Sequence, residues 1–381
     1  MRVYFVQPKN FNRTDKRTNP FFDPVIDVCE ENNIEYKIYN PGRKSKIGYP
    51  RSRVRDSRHL RRFVSFFAKY FGRFIQSGEE YDIDKMAGRI WNVLTFGRDR
   101  ADIYITVATE LYGALPGINP NARVVDIMHG IFCPGHWVYL EEDGSISKFL
   151  KKAKEREVWV TGAGYRDLFL RRGNEVEWVS QHIKVIGDIF GHTTRQGNFM
   201  NNNESTQMLI TLQLTNGCTF EENKFRYERV VSFLKEHSAN GLWRGNPILV
   251  KHHPRYNGCY DIAPMVKQFP KLKFISDSLN DIAKQVSINI TVDSTSAFDM
   301  AAYGIPTYFL YEKNDKKTRG IWDETFEYPY FDIPFKTLID MYDANKIEVN
   351  KVMFKWFSRY YIPIDKKRIA MELNDATKAF K

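Results

Sequence analysis

INITVDSTSAFDMAAYGIPTYFL, residues 288–310, reads as a strand, a turn, a helix and the start of a second strand. Apolar and β-branched residues run to Val292, four small polar residues follow (Asp293, Ser294, Thr295 and Ser296), and Ala297–Tyr303 carries a short helical pattern closed by Gly304 and Pro306. A strand that returns through a helix to another strand is a parallel βαβ unit, which places the chain in the α/β class. The same alternation runs outward from this stretch. Strands are predicted at 2–7, 101–107, 123–128, 156–162 and 182–187, then at 208–214, 247–251, 271–276, 288–292 and 306–311. The polar run from Arg195 to Thr206 separates the two series and reads as a linker. At 381 residues the chain also exceeds what one core fills. The expected organisation is a first Rossmann-like domain over 1–194, a linker over 195–206, a second over 207–355 and a helical segment over 356–381. Two such lobes suggest paired domains facing across a cleft.

Open parallel sheets bind ligands at the carboxyl ends of their strands, so the candidates are sought there. In 288–310, Ser294, Thr295 and Ser296 stand at a helix start, where hydroxyls cap free N–H groups beside the positive end of the helix dipole. Asp299 falls on the same helix face, placed to accept hydrogen bonds from ribose hydroxyls. A well-capped core helix with one surface Asp is the plain alternative. In PILVKHHPRY, 247–256, a buried-type strand delivers Lys251, His252, His253 and Arg255 to its end, and Pro254 keeps His253 extended. Adjacent histidines on a strand face opposite ways, so one His at most is expected to meet a ligand, and a zinc pair is not expected. In RVVDIMHGIFCPGHW, 123–137, a strand ends in His129-Gly130. His129 is the candidate general base on an acceptor hydroxyl, with Asp126 and His136 kept beside it as candidates for the chemistry.

The ordered set of HG in the first lobe, HP at a strand end in the second, and a hydroxyl cluster followed by an acid and Ala-x-x-Gly-x-Pro resembles bacterial surface-polysaccharide transferases of GT-B fold. Those include teichoic-acid glycerophosphotransferases, capsule Kdo transferases and polysialyltransferases. The resemblance covers residues 123–310. It implies a metal-independent glycosyltransferase, inverting, using a nucleotide-sugar donor and a glycan or lipid-linked glycan acceptor, with no separate cofactor. By the resemblance, His253 and the Ser294-Thr295-Ser296 cluster bind the donor's nucleotide phosphates, Asp299 its ribose, and His129 sits by the acceptor or reacting centre; Lys251 on the donor side and Asp126 on the acceptor side are added from their positions at the strand ends. A CDP-glycerol-type glycerophosphotransferase is the alternative within the family, in keeping with Asp299 where many sugar transferases have Glu.

The net charge of +11 is concentrated. Between Arg43 and Arg73 eleven Lys or Arg residues face a single acid, Asp56. Phe63, Phe66, Phe67, Tyr70, Phe71 and Phe74 follow the spacing of one helical face, with Arg61, Arg62, Lys69 and Arg73 opposite. Three readings stand: a packed helix, a polyanionic acceptor groove, and an amphipathic helix resting on anionic lipid, with Arg51, Arg53, Arg55, Arg58 and Arg62 as contacts. A nucleic-acid-binding protein using this segment is the reading from a different class, but it leaves the HP and hydroxyl-cluster ends unexplained. No apolar run is long enough to span a membrane and the N-terminus reads into a strand, so a cytoplasmic protein, peripheral at the inner membrane face, is expected. The four scattered cysteines are expected as reduced core thiols. Asp82-Ile83-Asp84 has metal-binding spacing but a helical context, and Gly162-Ala163-Gly164 lacks a third glycine.

Overall fold

The computed structural model describes residues 1–8, 18–41, 48–71, 80–108, 111–152, 156–171, 175–189, 191, 207–238, 247–312 and 315–375. The expected linker 195–206, and Arg43, Arg73 and Phe74 of the basic segment, lie outside them. The chain forms two compact units, one of residues 1–190 with 362–381, the other of 191–361.

The first unit is built on β1 (Arg2–Val6), β2 (Glu35–Asn40), β3 (Val54–Asp56), β4 (Ile103–Val107), β5 (Arg123–Ile127), β6 (Arg156–Val160) and β7 (Ile183–Val185). They form one seven-stranded sheet in the order β3-β2-β1-β4-β5-β6-β7, parallel throughout. Side chains alternate across it as strand geometry requires. Val3, Phe5, Ile103 and Ile105 bury into a core under the helix Asp23–Glu31, while Tyr4, Val6 and Tyr104 bury into a second core under the helices Arg58–Phe71 and Glu80–Leu94. Gly88 and Gly117 let Glu80–Leu94 lie against Ala114–Ile118. A Cβ on Gly88 would stand 2.0 Å from the Ala114 carbonyl oxygen, and one on Gly117 2.1 Å from that of Lys85.

The second unit has β8 (Gln207–Leu212), β9 (Ile248–His252), β10 (Leu272–Ile275), β11 (Val286–Thr291) and β12 (Thr307–Phe309) in the order β10-β9-β8-β11-β12, again parallel. Its helix Lys346–Tyr360 corrects the expected boundary at 355/356. It runs through that point because Val349, Met353, Trp356 and Phe357 are one continuous buried face. Only from Ile362 does the chain return to the first unit, where the helix Lys366–Asn374 buries Ile369 and Leu373 beside Val3 and Val25. Arg123 of β5, fully buried, pairs with Glu157 at 2.6 Å and donates to the Glu372 carbonyl at 2.5 Å, tying that last helix down.

Among the described residues no helix is long and apolar enough to cross a membrane. Of the cysteines only Cys29 is a core thiol, pushed by burial up to about 12; Cys133, Cys218 and Cys259 are half-exposed, because they sit in loops rather than on a core face.

Candidate functional site

In the second unit the strand order reverses between β8 and β11, and an open pocket lies at their carboxyl ends. β8 supplies Thr211 and Leu212, β9 supplies Lys251 to Pro254, and the turn after β11 supplies Ser294, Thr295, Ser296 and Asp299. The HP and hydroxyl-cluster residues, some forty positions apart in sequence, thus border one cavity of about 440 Å³. Ser278, Leu279 and Asn280 close another side. These and Thr211 were missed in the sequence. Applying the strand-end rule to β8 would have found Thr211.

The side chains divide into two sets. Ser296 is buried and its hydroxyl shares a hydrogen bond with Thr211 at 2.8 Å, within a network in which Asn289 donates to Thr307 at 3.1 Å. Its hydroxyl is thus engaged within the fold while the residue lines the pocket. Its backbone N–H is also taken, by Ser294 Oγ at 3.2 Å. Lys251 lines the pocket, but its ammonium donates to the carbonyls of Ser276 and Asp277 because β9 and β10 run side by side there. It therefore ties the ends of β9 and β10 at the pocket's edge. Thr295 is exposed, and Ser294 and Asp299 are half-buried on the pocket wall.

Of the two histidines, His252 is sandwiched between Tyr256 at 4.0 Å and Phe274 at 5.2 Å. Its burial and Lys251 push its pKa down. His253 has its Nδ1 accepting from the Arg255 N–H at 3.1 Å, so the neutral ring carries its proton on Nε2. That atom is the donor an anionic oxygen requires. Behind the wall, Arg226 pairs with Asp293 at 3.0 Å, both largely buried, and fixes the start of the β11 turn.

In the first unit His129 follows β5, and burial pushes its pKa below the usual value, so the imidazole is neutral near pH 7. The ring of His136 lies 6.5 Å away and is shifted the same way, again chiefly by burial. A Cβ at Gly130 would meet nothing within 4 Å, so the space beside His129 is open. Asp126, the other candidate of this strand, has partners inside the unit. It is fully buried and accepts from the Tyr139 hydroxyl at 2.5 Å and from Thr106 at 2.9 Å, because β5 aims it into the core. Tyr139 in turn stacks on His136 at 4.9 Å, so Asp126 holds the loop that carries the histidines.

The chain has the GT-B fold. It aligns over 99% of its length with 99% of the UDP-GlcNAc 2-epimerase from Methanocaldococcus jannaschii, at 15% identity and a TM-score of 0.53. The UDP-GlcNAc 2-epimerase from Neisseria meningitidis bound to UDP-GlcNAc is similar over 99% of both chains, at 12% identity and a TM-score of 0.51. A glycosyltransferase from Rickettsia africae matches over 100% of this chain and 98% of its own, at 10% identity and a TM-score of 0.50. No protein-family model and no curated protein matches the sequence.

The basic segment also differs from its sequence reading. Helix Arg58–Phe71 buries Leu60, Arg61, Val64 and Phe67, so Arg61 is not on the polar face. It donates to the Gln7 carbonyl at 2.8 Å, and burial lowers its pKa to about 10. The aromatic residues do not share one buried face either: Phe66, Tyr70 and Phe71 are exposed. Arg55 is paired with Asp99, Arg58 with Asp56, and Arg53 lies over the Tyr36 ring at 4.7 Å, whereas Arg51 and Arg62 are exposed.

Proposed function

We propose that the protein is a glycosyltransferase that takes a sugar from a nucleotide-activated donor bound in the second unit and adds it to a surface polysaccharide such as capsule or lipopolysaccharide. The observation that carries this reading is the pocket at the β8/β11 reversal, where His253, Ser294, Thr295 and Asp299 border one cavity. Donors placed beside a diphosphate stabilise the charge that develops on the leaving nucleotide, and a carboxylate suits the ribose diol. A similar fold bound to UDP-GlcNAc supports a nucleotide-sugar ligand. His129, neutral and beside open space, is the base that deprotonates the acceptor hydroxyl. Displacement is inverting and needs no metal.

Similar folds carry both epimerases and transferases, so the assay must separate them. The protein is incubated with UDP-, GDP- and CMP-sugars and with CDP-glycerol, with and without bacterial polysaccharide, and free nucleotide is measured. Acceptor-dependent nucleotide release from a sugar donor is expected. Release from CDP-glycerol alone makes it a glycerophosphotransferase, and conversion of a UDP-sugar without acceptor makes it an epimerase.

The exposed Phe66, Tyr70 and Phe71, with Arg51 and Arg62 also exposed in the same basic segment, favour a second property, docking to an anionic membrane surface. Changing Arg51 and Arg62 to Glu together with Phe66 and Phe71 to Ser is expected to abolish co-sedimentation with phosphatidylglycerol vesicles at low salt. Wild-type protein that stays in the supernatant rules the property out.

A further inference from the structure

The first unit has a cavity of its own, of about 520 Å³, at the carboxyl ends of β4 and β5. Its walls come from three places. Helix Glu80–Leu94 gives Tyr81 and Asp84, the turn after β4 gives Leu111 and Tyr112, and the loop beyond β5 gives Trp137 and Phe149. We infer that this cavity binds a pyranose ring of the acceptor glycan, with the exposed Trp137 ring under the sugar and Asp84 accepting its hydroxyls. The inference rests on the transferase reading only for the word acceptor; the site itself stands on its own geometry.

The aromatic wall is set rigidly. Tyr112 and Phe149 stack at 5.2 Å, and Trp137 meets Phe149 edge-on at 5.2 Å. Behind them the fully buried guanidinium of Arg156 lies 3.6 Å from the Tyr112 ring centre, 4.4 Å from Tyr81 and 4.5 Å from Phe149. Its Nη1 donates to the Phe149 carbonyl at 3.0 Å. Three rings packed around one cation cannot turn independently, so Phe149, against which the exposed Trp137 rests, is held in place. Trp137 nevertheless leaves 65% of its surface in water, which no packing role explains. Sugar rings present an apolar face of C–H groups and an edge of hydroxyls, and a flat aromatic wall beside a carboxylate matches both.

Asp84 is held where that edge would lie. Gly113 is packed against it so closely that a Cβ there would stand 2.6 Å from the Asp84 Cβ. Burial, with Glu80 adding to it, raises the Asp84 pKa to about 6, so at pH 7 the group is an acceptor. The turn that brings Tyr112 in is strained. Ala108 and Leu111 both have a φ of 57°, the left-handed region that non-glycine residues avoid, and such strain gathers at functional loops. Exposed Lys148 and Lys152 stand at the rim. Asp84 belongs to the Asp82-Ile83-Asp84 run, whose spacing suggests a metal; its place here is instead on the wall of an aromatic cavity.

The test titrates full-length protein with N-acetylglucosamine, galactose and glucuronic acid at millimolar concentration, followed by tryptophan fluorescence and saturation-transfer NMR, with UDP, CDP, CMP and GDP titrated separately. At least one sugar is expected to bind, with Trp137→Phe removing the fluorescence change and Trp137→Ala or Asp84→Asn weakening binding at least ten-fold. Nucleotide affinity is expected to stay unchanged in all three variants. Failure of every sugar to bind wild-type protein, or equal binding by the variants, overturns the inference. Sugar binding without binding of any nucleotide leaves this site standing and removes the transferase reading. Nucleotide binding without sugar binding does the reverse.

Discussion

The two units are built alike, as parallel sheets with a cavity at the strand ends, yet the cavities differ in chemistry. In the second unit the lining is hydroxyl, imidazole and carboxylate, drawn from three strand ends and the segment 278–280; in the first it is aromatic with the carboxyls of Glu80 and half-buried Asp84, drawn from helices and the segments after β4 and β5. The difference teaches that the sheet only provides the location, while the connecting segments decide whether the ligand is held by charge or by ring faces. His129 is not among the residues lining either cavity, and its proposed part is with the acceptor hydroxyl.

The largest effect expected from this contrast is therefore at His129. His129→Ala is expected to lower kcat by about 10²- to 10⁴-fold, the usual contribution of a general base, with donor affinity intact. Because the folded-state pKa of His129 is depressed, the acidic limb of the kcat/KM profile should fall below the ordinary histidine value of about 6.5. A variant that keeps kcat but loses nucleotide would move His129 to the donor set and erase the contrast. A smaller effect separates Asp126 from His129. Asp126→Ala leaves the Tyr139 hydroxyl and Thr106 without their acceptor, for a loss of about 1–3 kcal/mol of stability read by denaturant unfolding. Asp126→Asn, which still accepts, should recover part of it. If Asp126→Ala instead unfolds like wild type and is inactive, the residue belongs to the chemistry.

The second cavity was readable from the sequence because its residues sit in two short motifs, each at the end of an apolar run: VKHHP after β9 and DSTSAFD after β11. Sequence could not show which partners those side chains find within the fold. Ser296 meets Thr211, 85 positions away, and Lys251 meets carbonyls 25 and 26 positions on. Helix Arg58–Phe71 was recognisable by its period, but that Arg61 joins its buried face was not, because its partner is the carbonyl of Gln7, 54 positions off. β2 and β3 escaped notice because one mixes exposed and buried positions and the other has 3 residues. The aromatic cavity was illegible altogether. Asp84, Tyr112, Trp137 and Phe149 share no motif, and only the packing of Gly88 against Ala114 and of Gly117 against Lys85 brings their elements together.

The claim on which the account turns is that the cavity at the β8/β11 reversal holds the donor nucleotide. Calorimetric titration of UDP, CDP, CMP and GDP into wild-type protein, His253→Ala and Ser294→Ala tests it directly. One nucleotide is expected to bind wild type at one site per chain, and each variant to bind it about 10- to 100-fold more weakly, as loss of a charge-assisted hydrogen bond predicts. Unchanged affinity in both folded variants, or no nucleotide bound by wild type, contradicts it.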